Sequence, residues 1–185
     1  MLYGYREDET GPHLLSRMAV AILLPDDLNT VVARLREKYD PDYAIVAPHI
    51  SVVAPFETDK PLSEIAEMVA SIIQSKQEME IEFDSVQDYY PDCPQICWGI
   101  KPNETLTRLY IELHNALDIP VPYKGFRPHL TLAREISEHR LMIVKEQLAP
   151  YLPEEAVAVE EIDLLAPVTH NNWVSIRTFF LSEPE

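Results

Sequence analysis

Two short segments of the chain repeat one pattern, and this repeat constrains the fold more than any other feature of the sequence. PHISV at 48–52 and PHLTL at 128–132 both read proline, histidine, apolar residue, hydroxyl residue, apolar residue. Their histidines lie 80 positions apart, and each follows a tyrosine by six positions, Tyr43 and Tyr123. Internal repeats of this kind indicate a duplicated architecture.

The order of predicted elements repeats together with the motif. The first half has predicted strands at about 16–24, 44–53 and 79–87 and helices at about 27–39 and 62–75. The second half has strands at about 95–101, 127–134 and 156–165, helices at about 104–117 and from about 138, and a last strand at 172–182. The chain is therefore predicted to form one α+β domain, 1–185, of two βαβαβ lobes. Lobe 1 spans about 16–90 and lobe 2 about 95–182, after an irregular arm at 1–14.

Strand geometry places the polar residues of each motif on one side. Successive side chains of a strand point to opposite faces, so His49 and Ser51 emerge together about 7 Å apart, while Ile50 faces the other way. The same alternation places His129 beside Thr131. A pseudo-two-fold relation between the halves would gather both pairs around one small anion.

This set of groups suits the cleavage of a phosphodiester. In-line attack on phosphorus needs a base that deprotonates the nucleophile and an acid that protonates the leaving oxygen on the opposite side. Two histidines, with ordinary pKa values near neutrality, can share these roles. The hydroxyl groups of Ser51 and Thr131 can donate hydrogen bonds to the non-bridging oxygens. We expect the reaction to need no metal and no cofactor.

The net charge narrows the range of ligands. The chain has 15 Lys and Arg against 31 Asp and Glu, a formal charge of −16, which would repel a long nucleic-acid duplex over most of the surface. Segment 124–134 differs, because it contains Lys124, Arg127 and Arg134 and no acidic residue. These three residues are candidates for binding the phosphate of a small nucleotide or of an RNA end.

Aromatic residues near the motifs have two interpretations. Tyr43 and Tyr123 precede the two histidines, and Trp98 and Trp173 lie in predicted strands. Each could stack on a nucleobase, but aromatic side chains at such positions are also common in a core. The sequence leaves both interpretations open.

The two cysteines and the hydropathy pattern indicate an ordinary intracellular domain. Cys93 and Cys97 stand four apart without a second pair or a nearby histidine, so we interpret them as reduced structural thiols rather than metal ligands. The apolar run at 18–25 is far shorter than a membrane span, and no signal peptide is recognisable. The expected state is a cytoplasmic monomer without membrane contact.

The segments PHISVVAPF and FRPHLTLAR resemble the paired His-x-Ser/Thr motifs of the 2H phosphoesterase superfamily, in particular the group labelled 2′-5′ RNA ligase or cyclic phosphodiesterase. The resemblance covers about 16–182. It implies a bilobal fold with antiparallel-rich sheets around a central cleft, and metal-independent chemistry on 2′,3′-cyclic phosphates or 2′-5′ linkages. It also implies catalytic roles for both motif pairs and a binding role for Arg127, two positions before the second motif. The chain departs from many relatives at Ala54, where they carry an aromatic residue.

Two functions remain open at this point. The first is an enzyme that hydrolyses, or in reverse forms, a 2′-linked phosphodiester in a small nucleotide or an RNA end. The second is a non-catalytic module that binds such a ligand in the same cleft. Both motifs are intact, which favours the enzyme. The near symmetry of the repeats does not distinguish the base from the acid.

Overall fold

The computed structural model describes residues 16–169 and 172–183, so the arm predicted at 1–14 lies outside the described residues. The α-helices are α1 (Asp26–Tyr39), α2 (Leu62–Ile73), α3 (Glu104–Ala116) and α4 (Glu138–Leu148). The strands are β1 (Ser16–Leu23), β2 (His49–Thr58), β3 (Met79–Ile81), β4 (Phe83–Tyr89), β5 (Cys93–Ile100), β6 (His129–Ala133), β7 (Val157–Val159), β8 (Glu161–Thr169) and β9 (Asn172–Phe180). This mixture of helices with an antiparallel sheet confirms the predicted α+β class.

Three predicted strands differ from the observed ones. The strand predicted at 79–87 is interrupted at Glu82, and the one at 156–165 is interrupted at Glu160. Their first parts, β3 and β7, form a separate two-stranded sheet, and their second parts join the large sheet. The strand predicted at 44–53 begins only at His49. Before it, the carbonyl groups of Asp42 and Val46 accept hydrogen bonds from the Arg36 side chain instead of from a neighbouring strand.

The large sheet has the strand order β4-β5-β6-β2-β1-β8-β9, and every neighbouring pair in it is antiparallel. At its centre, Ile50 of β2 pairs with Leu130 of β6. These two residues occupy the same position in the two repeats. The same holds in the small sheet, where the middle residues of β3 and β7, Glu80 and Ala158, face each other. Both pairings therefore straddle one pseudo-two-fold axis.

The two halves of the sequence interlock around this axis. Strand β4, from the first half, pairs with β5 of the second half, and β8, from the second half, pairs with β1 of the first. The helices also cross, since α1 packs against β6 and α3 packs against β2. The large sheet therefore continues from β4 to β5, across the boundary between the two sequence repeats. The division into lobes 16–90 and 95–182 stays a prediction.

The helices cover one face of the large sheet and form the main core there. Its largest fully buried side chains are mostly aliphatic, with one tryptophan: Trp98, Ile50, Ile65, Ile73, Ile81, Ile96, Leu106, Leu109, Leu113, Leu130, Leu132 and Leu148. Each such side chain contributes about 1.5–3 kcal/mol relative to the exposed state. Trp98 packs edge-on against Phe83, with ring centroids 5.5 Å apart. Because Trp98 is buried in this core, the interpretation that it stacks on a nucleobase is wrong.

Candidate active site

The uncovered face of the sheet brings the two motifs together. Strand alternation turns His49, Ser51, His129 and Thr131 away from the core that Ile50 and Leu130 enter. Since Ile50 pairs with Leu130 in antiparallel register, His49 lies across from Thr131 and Ser51 lies across from His129. The two histidines are then diagonal neighbours, about 7–8 Å apart at the backbone.

A matching hydrogen bond orients each imidazole ring. Nδ1 of His49 lies 2.8 Å from the carbonyl oxygen of Ala47, and Nδ1 of His129 lies 2.8 Å from that of Arg127. A carbonyl oxygen can only accept, so Nδ1 carries the hydrogen in both rings. Nε2 is therefore the nitrogen that gains or loses a proton toward a ligand. Both repeats thus present the same reactive atom on the same face.

Burial lowers the pKa of both histidines. The loss of hydration around the charged ring is the largest cause in each case, and the hydrogen bond from Nδ1 opposes it. The positive charges of Arg36, Arg134 and His129 lower the pKa of His49 further. Arg134 also lowers the pKa of His129. Without a bound anion, both rings are thus biased toward the neutral form.

This bias predicts an acidic optimum for the free protein. Catalysis with one neutral and one protonated histidine is fastest between the two pKa values, and both lie below the ordinary value of 6.5. We therefore expect kcat/KM for a cyclic phosphodiester to reach its maximum below about pH 6.5 and to fall as the pH rises above it. Initial rates at low substrate concentration, measured across the pH range, check this. A kcat/KM that rises continuously to alkaline pH would contradict it.

Polar side chains surround His129. The amide nitrogen of Gln95 lies 3.4 Å from Nε2 of His129, and the Tyr89 ring stands edge-on to the imidazole with centroids 5.1 Å apart. Burial raises the pKa of Tyr89 to about 12 and that of Cys97 to about 11, and their side chains interact with each other. We call Tyr89, Gln95, Cys97 and the adjoining Gly99 the His129 wall.

None of the four residues of the His129 wall was predicted from the sequence to lie at the site. Its members on β5, Gln95, Cys97 and Gly99, alternate with the buried Ile96 and Trp98. This alternation is a sequence signal that could have placed them on the same face as the motifs. Tyr89 had no such signal. Its position depends on the pairing of β4 with β5.

Apolar side chains form a second wall, on the His49 side of the site. Next to β2 on the same face lies a small buried cluster, separate from the main core, against which three half-buried side chains pack. We call this cluster the His49 wall; its members are Ala19, Ala21 and Leu165, covered by Leu23, Val46 and Trp173. The two copies of the motif therefore stand beside chemically different walls.

A buried ion pair anchors the segment that leads into His49. Arg36 and Asp40 are 3% and 2% exposed, with Nε of Arg36 3.0 Å from Oδ2 of Asp40. The same guanidinium donates to the carbonyl oxygens of Val46, at 2.7 Å, and Asp42. Arg36 thus holds segment 40–47, and Ala47 at its end accepts the Nδ1 hydrogen of His49.

Two of the three predicted cationic residues form ion pairs within the protein. Lys124 pairs with Asp92 at 3.1 Å, and Nη1 of Arg134 pairs with Oδ2 of Asp42 at 3.0 Å. Segment 124–134 contains no acid, but the fold supplies these carboxylates from distant parts of the chain. Arg127 is exposed, and its positive charge lowers the pKa of Tyr89, opposing the effect of burial. The binding roles of the three residues stay predictions.

The aromatic candidates lie at different places. Tyr123 is 93% exposed and Tyr43 is 45% exposed, both on the loops that lead into the two motifs. Trp173 lies on the His49 wall, and the Arg17 guanidinium stacks over its ring at 5.4 Å. Stacking on a base stays a prediction for these three residues.

Residues 16–169 and 172–183 contain neither a membrane-spanning helix nor a cluster of metal ligands. No helix there is long and apolar enough to cross a membrane. No three side chains of the His, Cys, Asp and Glu types group there as potential metal ligands. Cys93 is exposed, Cys97 is buried, and neither forms a disulfide.

Known proteins resemble this chain in sequence and in fold. A protein of Geobacillus kaustophilus named "Putative phosphoesterase" is 26% identical over 170 residues, covering 91% of this chain and 98% of its own length. A protein of Bacillus mycoides with the same type of name is 28% identical over 152 residues, covering 80% and 87%. The crystal structure of Escherichia coli LigT complexed with 3′-AMP superposes with a TM-score of 0.66 at 18% identity, covering 92% of this chain and all of that one. LigT complexed with phosphate superposes with a TM-score of 0.64 at 19% identity, covering 91% and 99%.

A family model also matches the chain. The model described as the 2′-5′ RNA ligase superfamily matches residues 24–171, which include both motifs and most of the chain. The chain therefore belongs to the 2′-5′ RNA ligase superfamily, the group of 2H phosphoesterases that its two His-x-Ser/Thr motifs predict.

Proposed function

We propose that the protein is a phosphodiesterase that hydrolyses 2′,3′-cyclic phosphates or 2′-5′ linkages of small nucleotides or RNA ends, by acid and base catalysis between His49 and His129. The observation that carries the proposal is the matched pair of imidazoles, each held through Nδ1 and each offering Nε2 on one sheet face. A single phosphate between them would meet one base and one acid.

Each group has a definite part in the proposed reaction. One neutral histidine takes a proton from water at Nε2 while the water oxygen bonds to phosphorus. The bond from phosphorus to the ribose oxygen on the opposite side breaks, and the other histidine, protonated at Nε2, gives its proton to that oxygen. Ser51 and Thr131 donate hydrogen bonds to the non-bridging oxygens, which carry negative charge throughout.

The relatives support a nucleotide as the substrate. LigT, which shares the fold, has been crystallised with phosphate and with 3′-AMP, and the first of these is the group that our mechanism places between the histidines. The exposed Arg127 lies close to His129 in sequence and adds a positive charge on that side. In the enzyme, we expect Arg127 to contribute to binding more than to turnover.

Hydrolysis of 2′,3′-cyclic nucleotides tests the proposal. We expect turnover in the presence of EDTA with release of one positional isomer, either the 2′- or the 3′-phosphate, identified by chromatography against standards. Loss of turnover with EDTA, restored by a divalent cation, would contradict the metal-independent mechanism. Binding of nucleotides without hydrolysis of any cyclic phosphate or 2′-5′ dinucleotide would instead favour the non-catalytic module.

The net charge leads to a separate prediction about ligand length. Because the surface is strongly acidic outside the site, added nucleotides should contribute repulsion rather than contacts. We expect affinity at physiological salt to stay nearly constant from a dinucleotide to a long RNA with the same end, as measured by fluorescence anisotropy. Affinity that increases steeply with length would contradict it.

A further inference from the structure

The buried members of the His49 wall are covered by other apolar side chains. Ala21 and Leu165 there are 1% and 3% exposed, because Val46 and Trp173 pack over them. The covering segment is fastened in place, since the backbone nitrogen of Trp173 donates to the carbonyl oxygen of Ile45 at 2.7 Å.

The His129 wall is more open and carries hydrogen-bonding groups. Gln95 and Tyr89 are both half-buried, so each keeps part of its side chain accessible. Gly99 lies directly across from His129. A Cβ atom at this glycine would overlap the side-chain amide of Gln87, which therefore occupies the space beside the imidazole. Two amides and one phenol thus line this side of the site.

Gln95 is the member closest to the chemistry. Its amide nitrogen approaches Nε2 of His129, the same atom that would face the reacting phosphate. At 3.4 Å this contact is at the long limit of a hydrogen bond, so exchanging it for a bond to a ligand would cost little. A side-chain amide carries both donors and an acceptor, and it can therefore pair with a ribose hydroxyl or ether oxygen.

From this asymmetry we propose that the nucleoside part of the substrate lies over β4 and β5 beside His129, with the Gln95 amide hydrogen-bonded to a ribose oxygen and the Tyr89 ring packed against the sugar. This inference rests on the proposed phosphate position between the two histidines. It makes Gln95 a residue that binds the organic group, whereas the histidines and hydroxyls bind the phosphate.

Calorimetric binding of two probes separates these contributions. The probes are inorganic phosphate and adenosine 3′-monophosphate, titrated into wild type, Gln95→Ala, Tyr89→Leu and the control Gln74→Ala, whose exposed glutamine follows α2. We expect Gln95→Ala to weaken nucleotide binding about five- to tenfold, the value of one hydrogen bond, and to change phosphate binding less than about twofold. Tyr89→Leu should show the same selectivity, and Gln74→Ala should match wild type.

Several results would overturn the inference. Equal wild-type affinities for the two probes would mean that the nucleoside makes no contact, and equal weakening of both probes in Gln95→Ala would assign that residue to the phosphate. An unchanged nucleotide affinity in Gln95→Ala would exclude the proposed hydrogen bond. The proposed reaction is judged separately, because a selective binding loss in a protein without turnover would refute the hydrolysis and uphold the nucleoside position.

Discussion

Replacing His49 or His129 by alanine should lower kcat for a 2′,3′-cyclic nucleotide by about 10²–10⁴-fold, the usual contribution of a positioned acid or base. Each substitution removes one Nε2, so the nucleophile or the leaving oxygen loses its proton partner. The two groups act in one step, and the double variant should therefore be little slower than the slower single variant. Steady-state rates under identical buffer conditions measure the effect.

The chain offers a matched control for this comparison. His139 is exposed in the first turn of α4 and lies outside the motifs, so His139→Ala should keep wild-type kcat. Circular dichroism of all four variants verifies that the fold is intact. If either motif variant kept more than about a tenth of wild-type kcat, its histidine would not be the acid or base that we propose.

Removing the Asp40 carboxylate should produce the largest loss of stability at a polar residue. Asp40→Ala leaves the buried Arg36 guanidinium without its charged partner, and breaking a buried pair from one side costs about 3–5 kcal/mol. Asp40 also accepts a hydrogen bond from the backbone nitrogen of Asp42 at 3.0 Å, which helps to shape segment 40–47. Urea unfolding followed by tryptophan fluorescence measures the free energy of unfolding.

Asp42→Ala is the matched control, two residues away. Its carboxylate pairs with Arg134, but both side chains are more than a third exposed, and such surface pairs contribute about 1 kcal/mol or less. The double variant Arg36→Met/Asp40→Leu should recover part of the loss, because no unpaired charge stays buried. Equal destabilisation by Asp40→Ala and Asp42→Ala would contradict the assignment of the buried pair.

The sequence predicted those parts of the structure that depend on local periodicity and on the repeat. Helical spacing located α1, α2 and α3 to within two residues at each end. The repeat predicted that equivalent strands of the two halves would meet near a pseudo-two-fold axis, and β2 and β6 meet there through Ile50 and Leu130. The alternation in each motif then placed histidine and hydroxyl on one face.

The remainder depends on which strands meet, and local periodicity does not contain that information. The pairings of β8 with β1 and of β5 with β6 join distant parts of the chain. The second of them brings Tyr89, which lies on the hairpin of β4 and β5, next to His129. Charge patterns along the sequence do not contain it either, since Asp92 and Asp42 reach Lys124 and Arg134 only in three dimensions. The residue type of Trp98 allows it to stack on a base, but its position in the fold buries it in the core.

The crossing of strands about the pseudo-two-fold axis has a consequence for symmetry. A chain with one repeat could build this cleft only as a homodimer that swaps its last strand, and such a dimer must present two identical sides to its ligand. Covalent fusion removes that restriction, because every position then exists twice and can change independently. Gln95 and Cys97 stand where the other copy has Ala19 and Ala21. A symmetric phosphate-binding centre can thereby hold an asymmetric molecule in one orientation.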